Sequence, residues 1–313
     1  MGIGLASATL AAWAESATGT PPSETVHWTS VTLPHAVQTD LTATHTGHRY
    51  RIFLSAPKRA PPLGGYPVVY VLDGNGSFPV AALVARQIAR RSAVTGAPEA
   101  LVVGVGYPGM GDTFVQQRRR DYTVGQAPAD ASANQGGADL LLDFIDGQLK
   151  PLVAAQHPVN PQRQALFGHS FGGLFTLHAL FTRPGSFSHF IASSPSIWWR
   201  DQLVLKGLPR LAQTPLKQRP RVHISVGTLE DAPSQHPLPP ERARLRAARP
   251  MLAPARQLAA ELRALPGWRE RVHYIELQGE DHGLAWMPAL TRGMQSFLES
   301  PPSSSHSPVI PGN

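Results

Sequence analysis

QALFGHSFGGLFTLHALF occupies residues 164–181 and joins a short apolar run, a glycine-rich turn and a longer apolar segment. Residues 164–167 have the composition of a strand, and residues 171–181 have that of a buried helix. Between them, Gly168-His169-Ser170-Phe171-Gly172 fits the pattern G-x-S-x-G. In a strand–turn–helix setting this pattern is typical of a sharp turn that presents a serine nucleophile. The stretch therefore predicts that Ser170 is a nucleophile.

The glycines around Ser170 indicate a crowded turn. A serine on so sharp a turn leaves no room for side chains two residues to either side, and Gly168 and Gly172 meet that demand. Gly173 is expected to let the following helix approach the strand closely. The N-terminus of that helix would direct its dipole at a developing oxyanion. The alternative is an ordinary glycine-rich turn, but the strand before it and the helix after it favour the nucleophile.

Apolar runs on both sides of this turn indicate a mostly parallel sheet. Residues 67–72 and 101–105 are nearly unbroken apolar runs, as strands buried on both faces require. Further strands are predicted at 26–33, 48–56, 190–192, 221–226 and 272–277, and helices at 138–155, 248–265 and 284–298. Because strands alternate with helices, we predict the α/β class: an α/β-hydrolase fold with a mostly parallel central sheet and helices on both faces.

The partners of Ser170 should follow it in the order acid, then histidine. His282 lies in the loop between the last predicted strand and the last predicted helix, where the base belongs. The loop after the strand at 221–226 carries Glu230 and Asp231. We take Glu230 as the acid and Asp231 as the alternative. Each of these residues could instead be a solvated loop side chain.

Two backbone N–H groups are needed to bind the oxyanion of an acyl-transfer reaction. Phe171, directly after Ser170, should supply one, and Asn75, in the loop after the strand at 67–72, is our candidate for the other. Residues 73–76 could also be a plain turn. In the predicted mechanism His282 takes the proton of Ser170, which attacks an ester carbonyl and forms an acyl-enzyme. This chemistry needs no metal and no organic cofactor.

Composition narrows the classes of partner. The 313 residues carry a formal net charge of +7, which favours anionic partners. No nucleic-acid motif is present, so we do not expect a nucleic-acid partner. The chain has no cysteine, which excludes disulfides and a cysteine nucleophile.

The N-terminal residues resemble an export signal. Residues 3–14 form an apolar run that ends in Ala12-Trp13-Ala14, although no Lys or Arg precedes it. The run is too short to span a bilayer, so stable membrane insertion is not expected. We expect a signal peptide and linker at 1–25, a catalytic α/β-hydrolase domain at 26–298 and a disordered tail at 299–313. A periplasmic location follows, with the cytoplasm as the alternative.

Four stretches carry a family resemblance. They are Leu72-Asp73-Gly74-Asn75, RRRDYT at 118–123, GHSFGGLF at 168–175 and ASSPS at 192–196. With these, the chain resembles the esterase D-like family of α/β-hydrolases, which also includes feruloyl esterases and mycolyltransferases. Within that family it is most similar to periplasmic esterases that hydrolyse the trilactone of enterobactin- and salmochelin-type siderophores.

The resemblance implies a substrate and residues that bind it. The substrate would be an anionic ferric catecholate siderophore, and cleavage of its trilactone backbone would serve iron release. Asn75 would be the second oxyanion donor, Arg118 would face the catecholates, and Arg249 would be a second cation. Trp198 and Trp199 could stack on aromatic rings. Either arginine could instead be solvated or form a structural ion pair, and the tryptophans could pack against the core. The alternatives are a carboxylesterase acting on feruloyl or acetyl esters, a thioesterase, and a non-catalytic binding protein on a hydrolase fold.

Overall fold

A computed structural model describes residues 27–109, 111–125, 134–234 and 236–299. The predicted signal peptide at 1–25, and the predicted tail except for Glu299, lie outside these residues. Residues 27–33 form no strand, so the strand predicted at 26–33 is wrong where the structure describes it. The first strand of the described residues begins at Ala36 instead, where its backbone can pair with Ser55 of the next strand. None of the helices in the described ranges is long and apolar enough to cross a membrane.

One sheet forms the centre of residues 35–299. Among the described residues its strands are β1 Ala36–Thr42, β2 Arg49–Ser55, β3 Tyr66–Leu72, β4 Leu101–Gly106, β5 Val159–His169, β6 His189–Ser193, β7 Arg221–Gly227 and β8 Val272–Leu277. Their order across the sheet is β1-β2-β4-β3-β5-β6-β7-β8. β1 and β2 are antiparallel to their neighbours, and the strands from β4 to β8 run parallel. The predicted α/β-hydrolase fold is confirmed.

The α-helices of the described residues are α1 Gly74–Arg90, α2 Ser92–Thr95, α3 Asp112–Tyr122, α4 Ala138–Phe144, α5 Lys150–Gln156, α6 Phe171–Thr182, α7 Leu208–Gln213, α8 Pro240–Ala247, α9 Leu252–Ala264 and α10 Trp286–Glu299. The sequence did not predict α1 or α3. The helix predicted at 138–155 is interrupted by a π-helical turn at Ile145–Leu149. The helix predicted at 248–265 begins only at Leu252, because Pro250 disfavours helical backbone at the residue before it.

Helices cover both faces of the sheet. Successive strand residues point to opposite faces, so Phe190 and Ile191 of β6 are directed to different sides. Phe190 belongs to a buried cluster that includes Leu174 and Leu177 of α6. On the other side, Gly293 of α10 is so close to Ile191 that an added Cβ would lie 2.5 Å from its side chain.

The carboxyl ends of the parallel strands bring the candidate residues to one edge of the sheet. β3 ends just before Asp73, β5 ends at His169, β6 at Ser193 and β7 at Gly227. The loop with His282 follows β8 at the same edge. In open α/β sheets, ligands bind at this edge.

Candidate active site

Ser170 occupies a strained turn between β5 and α6. Its backbone has φ 58° and ψ −116°, outside the regions that L-residues favour. A Cβ on Gly168 would lie 2.1 Å from the carbonyl oxygen of Gly172, so position 168 requires glycine. Gly172 itself has room, since an added Cβ would approach no atom closer than 3.5 Å. The crowding predicted at Gly172 is therefore absent. The close approach predicted at Gly173 is confirmed, since a Cβ there would lie 2.8 Å from the carbonyl oxygen of Ser193, the last residue of β6.

Ser170, His282 and Glu230 form a continuous hydrogen-bonded series. Nε2 of His282 lies 3.0 Å from Oγ of Ser170. Nδ1 of the same ring lies 2.6 Å from Oε2 of Glu230. The His282 side chain is 45% exposed while that of Glu230 is fully buried, so the series runs from the interior to an accessible hydroxyl. Geometrically, the ring is able to accept a proton from Ser170 while the carboxylate orients it.

The buried carboxylate of Glu230 has hydrogen-bond donors on its other oxygen as well. Oε1 accepts from Oγ of Ser194 at 2.5 Å and from the backbone N–H of Gly227 at 2.6 Å. A buried charge is costly unless donors surround it. These contacts therefore compensate the burial of Glu230 and hold Oε2 towards His282.

Asp231, the alternative acid, points elsewhere. Its oxygens accept the backbone N–H groups of Met251 and Leu252, each at 2.9 Å. These N–H groups begin α9 and have no acceptor within the helix. Of the two neighbouring carboxylates, only Glu230 lies at His282, while Asp231 caps a helix.

The two candidate oxyanion donors both lie in the first turn of a helix. Phe171 begins α6 and Asn75 is the second residue of α1, where backbone N–H groups lack an intrahelical acceptor. The side chain of Asn75 is paired with the backbone of Tyr107: its Oδ1 accepts the N–H at 2.8 Å and its Nδ2 donates to the carbonyl at 2.9 Å. Residues 73–76 are therefore neither a free loop nor a plain turn, because they begin a helix.

Ser170 and His282 open onto a cleft of about 510 Å³. Arg242 and Arg246 of α8, together with Arg249, line it beside the apolar residues Leu238, Leu245 and Met251. Among the described residues Glu230 is the one carboxylate that lines the cleft, and it is bound to His282. The guanidinium of Arg249 lies 4.6 Å from the ring centroid of Trp198, which also lines the cleft. The cleft therefore presents positive charge next to an aromatic face.

Comparison with known proteins gives the family. Residues 43–297 match the family described as Putative esterase. The chain belongs to this esterase family. Because its relatives act on esters as well, the protein is a hydrolase of esters.

Three similar proteins cover nearly the whole of this esterase. It is 35% identical to the siderophore triacetylfusarinine C esterase of Aspergillus fumigatus, over 88% of this chain and 97% of that protein. It is 32% identical to the ferri-bacillibactin esterase BesA of Bacillus subtilis, over 86% and 91% of the two chains. The crystal structure of the BES protein from Bacillus cereus matches it with a TM-score of 0.76 at 31% identity, over 88% and 99% of the chains.

Arg118 of the esterase lines the cleft, but its guanidinium already forms hydrogen bonds within the protein. Nε donates to Oδ1 of Asp73 at 2.7 Å, and Nη2 donates to the carbonyl oxygen of His169 at 2.9 Å. Its side chain is 19% exposed. A direct contact between Arg118 and the substrate stays a prediction.

Sequence reasoning missed several residues of the candidate site. Ser194 bonds to Glu230, and Oγ of Ser196 lies 3.4 Å from Oγ of Ser170. Both belong to the ASSPS stretch at 192–196, whose position directly after a buried strand could have marked them. His169 was also missed: its ring centroid lies 4.8 Å from that of His282, and burial lowers the pKa of His169 to about 3. A neutral imidazole therefore packs against the candidate base at neutral pH.

Proposed function

We propose that this esterase hydrolyses the trilactone backbone of an anionic catecholate siderophore of the enterobactin type. The single observation that carries the proposal is that the Ser170–His282–Glu230 series opens onto a cleft lined by Arg242, Arg246 and Arg249. The names of its relatives support the class of substrate, since the one from Aspergillus fumigatus is called a siderophore triacetylfusarinine C esterase and the one from Bacillus subtilis a ferri-bacillibactin esterase.

Acylation would use each member of the series. His282 accepts the proton of Ser170 through Nε2, and Oγ attacks a lactone carbonyl. The carbonyl oxygen becomes negatively charged and accepts hydrogen bonds from the N–H groups of Phe171 and Asn75. Glu230 holds the ring and stabilises its positive charge, without itself taking the proton.

Collapse of this intermediate breaks the ester C–O bond. His282 returns its proton to the departing alkoxide, which leaves as an alcohol still tethered to the opened ring. The same histidine then deprotonates a water molecule that attacks the acyl-enzyme, and Ser170 is released with a free carboxylate on the product. Each cycle consumes one water and converts one lactone bond into a hydroxyl and a carboxylate.

The charge of the cleft supports an anionic substrate. A triply charged ferric catecholate needs cationic partners, and guanidinium groups pair with anions and stack on rings. Arg249 over Trp198 offers both contacts at one place. Opening the ring removes the preorganisation of the iron ligands, which weakens the chelate and would serve iron release. The iron is part of the substrate in this scheme.

The test is hydrolysis of ferric and iron-free enterobactin beside p-nitrophenyl butyrate by the wild type and Ser170→Ala. We expect rapid opening of the trilactone by the wild type and none by the variant. Activity on the simple ester alone would reject the siderophore assignment and favour a carboxylesterase of feruloyl or acetyl esters. Activity retained by Ser170→Ala would reject the nucleophile.

Export to the periplasm, which residues 3–14 predict, is part of this proposal. N-terminal sequencing of the full chain recovered from the periplasm of a bacterial host tests it. Cleavage near Ala14 is expected, and an intact Met1 in the cytoplasmic fraction would contradict it.

A further inference from the structure

Arg118 connects the two segments that carry the candidate oxyanion donors. Its Nε is bound to Asp73, two residues before Asn75, and its Nη2 to the carbonyl of His169, two residues before Phe171. Arg118 thus contacts the side-chain carboxylate of one segment at 2.7 Å and a backbone carbonyl of the other at 2.9 Å. One rigid, planar guanidinium therefore contacts both segments.

Both segments have backbone that needs support. Asp73 has φ 54° and Ser170 has φ 58°, a left-handed conformation that residues other than glycine rarely adopt. Such residues persist only where their surroundings hold them, and they concentrate at functional sites. Arg118 contacts Asp73 directly and the residue before Ser170.

Helix α3 also holds the Asp73 segment through a second residue. Tyr122 lies one turn after Arg118, on the same face of the helix, and its hydroxyl oxygen accepts the backbone N–H of Asp73 at 2.9 Å. Tyr122 is fully buried. The Arg118 guanidinium carbon lies 5.5 Å from the centroid of the Tyr122 ring and 5.7 Å from that of Phe171. The guanidinium is therefore held both by packing against these rings and by its hydrogen bonds.

We propose that Arg118 is a positioning residue, which holds the N–H groups of Asn75 and Phe171 in register as the two halves of the oxyanion hole. The inference rests on the proposed catalysis by Ser170. Donors of an oxyanion hole act only if they are placed in advance where the charge develops, so a displacement of one half reduces transition-state binding. Substrate need not contact Arg118 for this role.

The ion pair between Arg118 and Asp73 is consistent with positioning rather than with recognition of a charged substrate. The carboxylate of Asp73 lies against Arg118 and offsets its positive charge. A residue that recognises an anionic group affects anionic substrates alone, whereas a residue that positions the oxyanion hole affects every ester. Comparison of a neutral and an anionic ester therefore distinguishes the two roles.

The experiment measures kcat and KM of Arg118→Gln and Arg118→Lys on p-nitrophenyl butyrate and on the anionic mono-p-nitrophenyl succinate. We expect kcat of Arg118→Gln to fall about 100-fold on both esters with little change in KM. Arg118→Lys should recover part of this loss, because an ammonium group can replace one of the two contacts. The affinity for a trifluoromethyl ketone, which forms a tetrahedral oxyanion on Ser170, should fall in parallel with kcat/KM.

Arg119→Gln is the matched control on the same helix. Arg119 is exposed and its guanidinium lies over the ring of Trp199, so the kcat of Arg119→Gln should equal that of the wild type. Circular dichroism and thermal unfolding show whether each variant is folded. If Arg118→Gln does not fold, Asp73→Asn should give the same selective loss of kcat.

Two results would overturn the inference, and a third bears on the proposed function instead. If the kcat of Arg118→Gln on the neutral ester equals that of the wild type, a positioning role is rejected. A rise of KM confined to the anionic ester would make Arg118 a substrate-binding residue. If Ser170→Ala, assayed in parallel, retained activity, the proposed function itself would fail.

Discussion

Oγ of Ser194 lies 2.5 Å from Oε1 of Glu230, while His282 occupies the other oxygen of the same carboxylate. Ser194 itself has a left-handed backbone with φ 42°, and its N–H donates to the carbonyl of Ser225 in β7. The serine after β6 is thus held in an unfavourable conformation that directs its hydroxyl at the acid. The residue after β6 therefore holds the candidate triad in place, together with Glu230 after β7 and His282 after β8.

Ser194→Ala should lower kcat about 10-fold, because it removes one donor from a buried carboxylate and loosens its hold on His282. The measurement is kcat on p-nitrophenyl butyrate, together with thermal unfolding to show that the fold is intact. Ser194→Gly, which also removes the hydroxyl but suits the positive φ, is the control for backbone strain and should lose kcat to the same extent. Wild-type kcat in Ser194→Ala would mean that the contact does not contribute to catalysis.

Glu230→Gln and Asp231→Asn should separate catalysis from stability. Glu230→Gln removes the charge beside His282, so we expect kcat to fall on the order of 10³- to 10⁴-fold. Asp231→Asn weakens the cap of α9, so we expect a loss of about 1 kcal/mol in the free energy of unfolding with kcat nearly unchanged. Steady-state kinetics and urea unfolding measure both. The reverse pattern would make Asp231 the acid.

Gly168→Ala and Gly172→Ala should differ sharply although both lie two residues from Ser170. The added methyl at 168 would lie 2.1 Å from a backbone oxygen, and we expect a loss of about 3 kcal/mol or a failure to fold. At 172 the nearest atom is 3.5 Å away, so stability should change by less than about 1 kcal/mol. Thermal unfolding of the two variants is the measurement, and equal losses would contradict the described turn.

Arg242→Gln should raise KM about 5- to 10-fold for ferric enterobactin and leave KM for p-nitrophenyl butyrate unchanged, since it removes one cation from the cleft wall. Arg244→Gln is its matched control, because Arg244 lies on the same helix but does not line the cleft. Equal KM values for the two variants on the ferric siderophore would argue against a role of the α8 arginines in binding.

His223 should make the stability of the fold depend on pH. Burial, with a smaller contribution from His273 and Arg221, lowers the pKa of His223 to about 3 from an ordinary value of 6.5. The unfolded chain therefore binds a proton that the folded chain excludes, and the stabilisation is complete above about pH 6.5 and is lost as the pH falls towards 3. Between pH 7 and pH 5 this one group should account for up to about 2 kcal/mol.

Urea unfolding at pH 7 and pH 5 compares the wild type with His223→Gln. The variant should lose less stability over this interval, because glutamine takes up no proton. His27→Gln, which changes an exposed histidine, is the control and should follow the wild type. An identical pH dependence of His223→Gln and the wild type would show that His223 is not excluded from protonation.

The sequence alone determined the fold class and the positions of Ser170 and His282. Both depend on local patterns: a G-x-S-x-G turn between a strand and a helix, and a histidine between the last strand and the last helix. Such patterns involve residues close together in the chain, where backbone geometry and apolar periodicity follow from neighbouring residues. The order of the parallel strands then brings the two side chains to one edge of the sheet.

The tertiary structure decided what each polar side chain contacts. Glu230 and Asp231 are neighbours with the same chemistry. Glu230 contacts the imidazole of His282, 52 residues later, whereas Asp231 contacts the start of α9 at Leu252. Only the positions of these distant elements distinguish the two carboxylates. The Asp73–Arg118 pair likewise joins residues 45 apart. A hydrogen bond depends on distances of a few tenths of an ångström and on direction, and these are set by the packing of whole elements rather than by the local sequence.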